Sequence, residues 1–254
     1  MIRFASLGSG SKGNATLIEQ AKTRILVDCG FSLGETERRL QRLNCHPETL
    51  TAILVTHEHS DHAAGIGRLS RRYHIPVYLT VGTHYVMRDK QFAQTHYINT
   101  HDAFSIHDLT IQPFPVPHDA REPCQFVFQD GQHKIGHLTD VGSMTPIITQ
   151  TLQQLDALML ECNYDLQMLE EGEYPFMLKK RVSGRYGHFS NFQASVLLKE
   201  LNLSRMQHLV GMHVSEKNNL PSHAYRALCT GADCSENWIQ LANQQDGISW
   251  REVR

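Results

Sequence analysis

Between positions 57 and 62 the chain reads His57-Glu58-His59-Ser60-Asp61-His62, where three histidines and an aspartate put four metal-competent side chains into six residues. Imidazole nitrogen and carboxylate oxygen are the donors that Zn²⁺, Mn²⁺ and Fe ions accept. His57 and His59 are two apart, so on an extended segment they point the same way, whereas Asp61 and His62 fall on the turn beyond. One segment can thus feed two sites, a histidine pair to one cation and an Asp/His pair to its neighbour. The pattern is not H-E-x-x-H, because Asp61 stands where that motif needs its second histidine and the context is strand-to-turn, not mid-helix. The bland alternative is a solvated polar loop.

Such a loop needs a rigid strand behind it. Thr51-Ala52-Ile53-Leu54-Val55-Thr56 is a short, almost fully apolar run, as expected for a strand buried on both faces. Further strands are expected over 2–7, 15–19 and 24–27, separated by turn formers that include the Gly/Ser-rich stretch 8–14. The spacing of Leu33, Leu40 and Leu43 predicts a helix over 35–43, and a second helical pattern runs over 63–73. Pro76 opens a strand at 77–79, and strands predominate again over 103–138. The last third alternates strands at 157–160 and 207–212 with helices at 191–201 and from 222. This predicts α/β architecture, sheets covered by helices, in a single domain spanning residues 1–254. Pattern alone does not separate an open parallel sheet from two stacked sheets.

The 254 residues carry 24 basic and 26 acidic side chains, a formal net charge of −2. That balance argues against holding duplex nucleic acid by long-range attraction, so a polyanionic substrate must be met by a local basic patch or by metal ions. With 41% hydrophobic and 20% charged residues, the composition is globular. No apolar run approaches the ~20 residues of a membrane span and no signal-peptide core follows Met1, so a cytoplasmic protein without membrane association is expected. The six cysteines form no C-x-x-C pair, which predicts reduced thiols and no cysteine-held zinc. Homo-oligomerisation is left open.

The motif His57-x-His59-x-Asp61-His62 resembles the defining signature of the metallo-β-lactamase superfamily. Other positions follow in that family's order. Asp28, closing Ile25-Leu26-Val27, resembles the early aspartate that braces the metal loop. His118 in Pro115-Val116-Pro117-His118-Asp119 resembles the third histidine of the first metal. Asp140 in Gly136-His137-Leu138-Thr139-Asp140-Val141-Gly142 resembles the bridging carboxylate. His213, after Leu209-Val210-Gly211-Met212, resembles the last histidine of the second metal. The resemblance implies an αββα sandwich of two mixed sheets flanked by helices, with two divalent ions, Zn or Mn with Fe as a further option. His57, His59 and His118 would hold one ion and Asp61, His62 and His213 the other, with Asp140 between them.

Two positions point to a branch. Glu161 in Leu160-Glu161-Cys162-Asn163 and His188 in Gly187-His188-Phe189-Ser190-Asn191 resemble the Glu/His pair of the phosphodiesterase branch, in which the glutamate orients the histidine and the histidine handles the scissile phosphate or the departing oxygen. Only 21 residues separate His118 from Asp140, too few for the long arm of tRNA 3′-processing enzymes. The fullest resemblance is to the WalJ/YycJ-like proteins, a small bacterial branch associated with metal-dependent 5′-to-3′ exonuclease action on DNA. It is carried by residues 7–14, Val55-Thr56-His57-Glu58-His59, Pro117-His118-Asp119-Ala120, Gly187-His188-Phe189-Ser190-Asn191 and His213-x-Ser215-x-x-Asn218-Asn219. It implies a nucleic-acid substrate, DNA ahead of RNA.

Weaker signals concern the substrate. The turn 8–14 could offer backbone N–H groups and the hydroxyls of Ser9 and Ser11 to a phosphate. Lys180, Arg181 and Arg185, just before His188, could guide a nucleic-acid end. Two competing readings remain at this stage: thioester or lactone hydrolysis by the same metals, and a non-catalytic, metal-stabilised regulatory module.

Overall fold

The computed structural model describes residues 1–254. Two seven-stranded sheets stack face to face, with helices on the outer surface of each. The first contains β1 (Ile2–Gly8), β2 (Ala15–Gln20), β3 (Thr23–Val27), β4 (Ala52–Leu54), β5 (Pro76–Leu79) and β6 (Gln94–Tyr97). The second contains β7 (Phe104–Ile106), β8 (Leu109–Pro115), β9 (Cys124–Gln129), β10 (Lys134–Leu138), β11 (Ala157–Glu161), β12 (His208–Met212) and β13 (Ile239–Leu241). The last strand, β14 (Ile248–Val253), returns to the first sheet and pairs antiparallel with β1, Ile2 opposite Val253. The spatial orders are β14-β1-β2-β3-β4-β5-β6 and β13-β12-β11-β10-β9-β8-β7. Both sheets are mixed: β3 to β6 run parallel, as do β10 to β13, and the remaining pairs are antiparallel.

The period-2 alternation of strands explains the layering. In β3, Ile25 and Val27 face the core between the sheets while Leu26 faces the helices. In β4, Ala52 and Leu54 face inward and Ile53 outward; in β11, Ala157 and Met159 face inward, Leu158 and Leu160 outward. A strand apolar on both faces is stable only when both are covered. Helices Leu33–Arg42 and Ile66–Tyr73 cover the first sheet through Leu40, Ile66 and Leu69; helices Asn191–Glu200 and Pro221–Ala232 cover the second through Leu197, Leu198 and Leu228. The ambiguity between an open sheet and stacked sheets is resolved in favour of the αββα sandwich.

The helix expected over 63–73 is broken into Ser60–Ala63 and Ile66–Tyr73. The cause is backbone contact. Gly65 N donates to Cys29 O at 2.8 Å, and a Cβ on Gly65 would stand 2.1 Å from Phe31 O. Helix Val81–Val86, capped by Thr80 Oγ1 accepting from Thr83 N, and edge strand β6 were not anticipated; the Gln-Thr-His-Tyr sequence of β6 shows no apolar alternation. All six cysteines are free. No helix is long and apolar enough to cross a membrane.

Candidate metal centre

The strands that matter end at one edge of the sandwich. In the first sheet β3 runs into Asp28 and β4 into the segment His57–His62. In the second, β8 leads to His118, β10 to Asp140, β11 ends on Glu161 and β12 runs into His213. Three of these residues lie in left-handed backbone, Asp28 at φ 61°, Asp140 at φ 54° and His213 at φ 51°. A side chain with a Cβ disfavours that region, so the surrounding structure must hold each in place. Gly30 secures the metal loop: a Cβ there would lie 1.7 Å from Asp61 O. Around it, Asn14 N donates to Asp61 O at 2.8 Å and Cys29 N to His62 O at 2.7 Å.

Five imidazoles are oriented by the same device. His57 Nδ1 donates to Thr56 Oγ1 (2.9 Å), which in turn donates to Asp28 Oδ2 (2.7 Å). His62 Nδ1 donates to the same Asp28 oxygen at 2.8 Å, and His118 Nδ1 to Gly187 O at 3.0 Å. Glu161 Oε1 accepts from His188 Nδ1 (2.8 Å) and from His213 Nδ1 (3.0 Å). Fixing Nδ1–H leaves Nε2 with its lone pair, the tautomer a metal ligand needs. Asp28 thus braces both His57 and His62.

The free donor atoms converge. His57, His59 and His118 form one group with ligand atoms within 4.8 Å of one another; Asp61, His62 and His213 form a second. Asp140 lies between, with Oδ2 3.1 Å from His62 Nε2 and Oδ1 3.9 Å from His118 Nε2. Buried His57 Nε2, His213 Nε2 and Asp140 Oδ2 have no hydrogen-bond partner. His118 Nε2 and His59 Nδ1 approach to 3.2 Å. Buried polar atoms are rarely left so, and two imidazole nitrogens at that distance need a proton or a cation between them. The residues present therefore fit divalent metal ions.

The electrostatics divide along the same line. Burial, with the neighbouring His62, holds the His57 pKa well below the usual imidazole value; burial also lowers that of His118. At His62 burial opposes charge, but Asp140, Asp28 and Asp61 outweigh it and hold the pKa well above the ordinary value. At His213 burial is likewise outweighed, by Asp140, Asp61 and Glu161, and the pKa rises to about 10. Burial works against ionisation of Asp140, yet His213 and His62 hold its pKa well below the carboxylate range. Glu161, against the same burial, is brought down to about 2 by His188 and His213. His188, opposed by burial, is raised by Glu161.

The residues expected to meet the substrate are placed unevenly. Ser9 is not presented to a phosphate: it is 2% exposed, and its Oγ accepts from His213 N at 2.8 Å, a strut behind the site. Ser11 is solvent-exposed on the same turn. Arg181 stands at the rim, donating through Nε to Asp119 Oδ2 at 2.5 Å, and Asp119 Oδ1 lies 3.5 Å from His118 Nε2. Lys180 lies over the Phe176 ring at 4.6 Å, lining a different groove with Leu166 and Leu169. Arg185 lines a separate groove with Pro117 and Tyr186, and its carbonyl accepts from Ser143 Oγ. Individual readings of the sequence missed Asn14, whose Nδ2 is 3.0 Å from His62 Nε2, and Asn163, whose Nδ2 donates to His213 O at 2.8 Å. Their only signal is an asparagine beside a strand end, Asn14 just before β2 and Asn163 just after β11.

This edge-of-sandwich centre, bounded by two mixed sheets, defines a class. The sequence model of the β-lactamase superfamily domain matches residues 23–214, and the chain belongs to that superfamily. Within it, the chain is 31% identical over 227 residues to "Exodeoxyribonuclease YycJ" of Bacillus anthracis, covering 86% of this chain and 84% of the relative. It is equally 31% identical over 233 residues to "Exodeoxyribonuclease WalJ" of Streptococcus pneumoniae, covering 89% and 86%. Among solved structures, the metallo-β-lactamase fold protein YhfI from Bacillus subtilis superposes with a TM-score of 0.75 at 16% identity, covering 99% of this chain and 100% of that one, a likeness of fold.

Proposed function

We propose that the chain, acting as one hydrolase domain over residues 1–254, is a metal-dependent phosphodiesterase, an exonuclease degrading DNA from 5′ to 3′. The relatives named exodeoxyribonuclease, matched over most of both chains, support the substrate class. The observation that carries the reaction type is Glu161. Its Oε1 holds both His213, a metal-ligand candidate, and His188, whose Nε2 has no partner within the protein and whose side chain is 20% exposed.

His57, His59 and His118 would hold one divalent ion and Asp61, His62 and His213 the other, with Asp140 shared; zinc and manganese suit these donors best. Bound there, two such ions supply charge neutralisation for a phosphate and a water acidified toward neutrality. The chain's own residues do the rest. Asp28, Thr56 and the Gly187 carbonyl keep the imidazoles in the Nδ1–H form. Glu161 keeps Nδ1–H of His188 turned inward and, by raising its pKa, favours the imidazolium, whose Nε2–H can be given to the departing oxygen.

The test uses protein loaded with Mn²⁺ or Zn²⁺ on single- and double-stranded DNA and RNA labelled separately at each end, beside S-lactoylglutathione and a lactone. The proposal expects stepwise release of nucleotides from the 5′ end of DNA, abolished by EDTA. Turnover of the thioester or lactone without the nucleic acids would overturn it. His188→Ala should keep the metals and lose ~10²–10⁴-fold in kcat, most on substrates with poor leaving groups.

A further inference from the structure

A cleft of ≈ 560 Å³ opens beside the metal centre. It is lined by the metal loop, through Glu58, His59 and Asp61, by Val86 to Asp89 and by Arg181. Its charged groups are not equally free. Arg181 is bound to Asp119, and Asp89 is held by Arg71 through two bonds of 2.9 Å. Glu58 Oε1 accepts from Arg121 N at 2.8 Å. Arg88 is exposed and makes no hydrogen bond or ion pair, while both its neighbours are fixed, Met87 buried in the core and Asp89 clamped to helix Ile66–Tyr73. An unpaired guanidinium on an anchored base, lining the same cleft as His59 and Asp61, is suited to an anion there, and Val86 with Ala63 and Ala64 adds apolar surface for a sugar or base.

We propose that this cleft is the subsite for the strand adjoining the scissile phosphate, with Arg88 binding the neighbouring phosphate and Arg181, held by Asp119, at its metal-side end. The inference rests on the phosphodiesterase reading and names where the rest of that substrate lies. Arg88 is a positioning residue: it selects a strand with more than one phosphate over a lone diester.

The metal-loaded protein is assayed on a short oligothymidylate and on bis(p-nitrophenyl) phosphate, which has one phosphate only. In Arg88→Ala the ratio of kcat/KM between the two should fall about tenfold, chiefly through KM, the scale of one charge-assisted hydrogen bond. The dependence of log kcat/KM on log salt for the oligonucleotide should flatten by ~0.7, one phosphate contact fewer. Arg88→Lys should restore the salt slope and part of the ratio, and Arg72→Ala, outside the cleft, should keep the parent's ratio. A parental ratio and slope in Arg88→Ala, or an equal loss on both substrates, would overturn the subsite while leaving the enzyme a phosphodiesterase. A loaded parent that cleaves neither diester would instead overturn the reading beneath it.

Discussion

Glu161→Gln changes one atom type in the most densely bonded carboxylate of the site. Its Oε2 accepts from Val141 N (3.0 Å) and Phe189 N (2.9 Å), and its Oε1 accepts from His188 Nδ1 (2.8 Å) and His213 Nδ1 (3.0 Å). All four partners are donors. A glutamine offers one acceptor oxygen and one NH₂, so either way it turns, a donor faces two donors in a place with no water access, Glu161 being 0% exposed. Losing two hydrogen bonds to a charged group costs about 3 kcal/mol at the lower end of the usual range. For a domain of this size that is a fall in Tm of ~6–12 °C. If the amide keeps the backbone N–H bonds, the imidazoles lose their tautomer, and kcat should fall ~10²-fold or more. Thermal melting by circular dichroism and turnover of an end-labelled oligonucleotide read the two effects. A melting temperature within 2 °C of the parent's, together with a kcat within about threefold, would refute the reasoning. The pH dependence has a definite sign. A carboxylate brought down to about 2 in the folded protein stabilises above its unfolded value, and that contribution drains away as pH falls from ~4 toward the folded pKa, so the gap between parent and variant should narrow in acid.

Further outcomes follow from the same geometry. Gly30→Ala places a methyl 1.7 Å from Asp61 O, so the metal loop must move; metal content by atomic emission should drop, and an unchanged stoichiometry would show that the loop yields without cost. His59→Ala should lose metal and turnover together, because His59 Nδ1 stands 3.2 Å from His118 Nε2 and belongs to the first group of candidate ligands. Without a metal, the surrounding carboxylates favour the protonated forms of His62 and His213, the latter with a pKa of about 10, so a cation competes with protons there. Metal uptake should therefore release protons and tighten as pH rises, measurable by calorimetry in buffers of different ionisation enthalpy.

Much of this centre was legible because its donors are contiguous or sit at strand ends. The segment 57–62 advertises itself by composition, and the apolar run before it marks the strand that carries it. His118, Asp140 and His213 are single residues; their order along the chain suggested them, and the structure brings them together. Three things had no sequence signal. The left-handed backbone at Asp28, Asp140 and His213 depends on neighbours from both sheets. The hydroxyl of Ser9 turns inward to His213 N, which a Gly/Ser-rich turn does not disclose. Helix Val81–Val86, whose Val86 lines the cleft, and edge strand β6 are short and show no regular apolar period, and their stability comes from tertiary contacts instead of periodicity.

The central claim is that this edge of the sandwich gathers paired cations. Anomalous diffraction from crystals of the manganese- or zinc-loaded protein tests it directly. Two peaks are expected, one against His57, His59 and His118 and one against Asp61, His62 and His213, with Asp140 reaching both. A single peak, or peaks away from these side chains, would contradict the account.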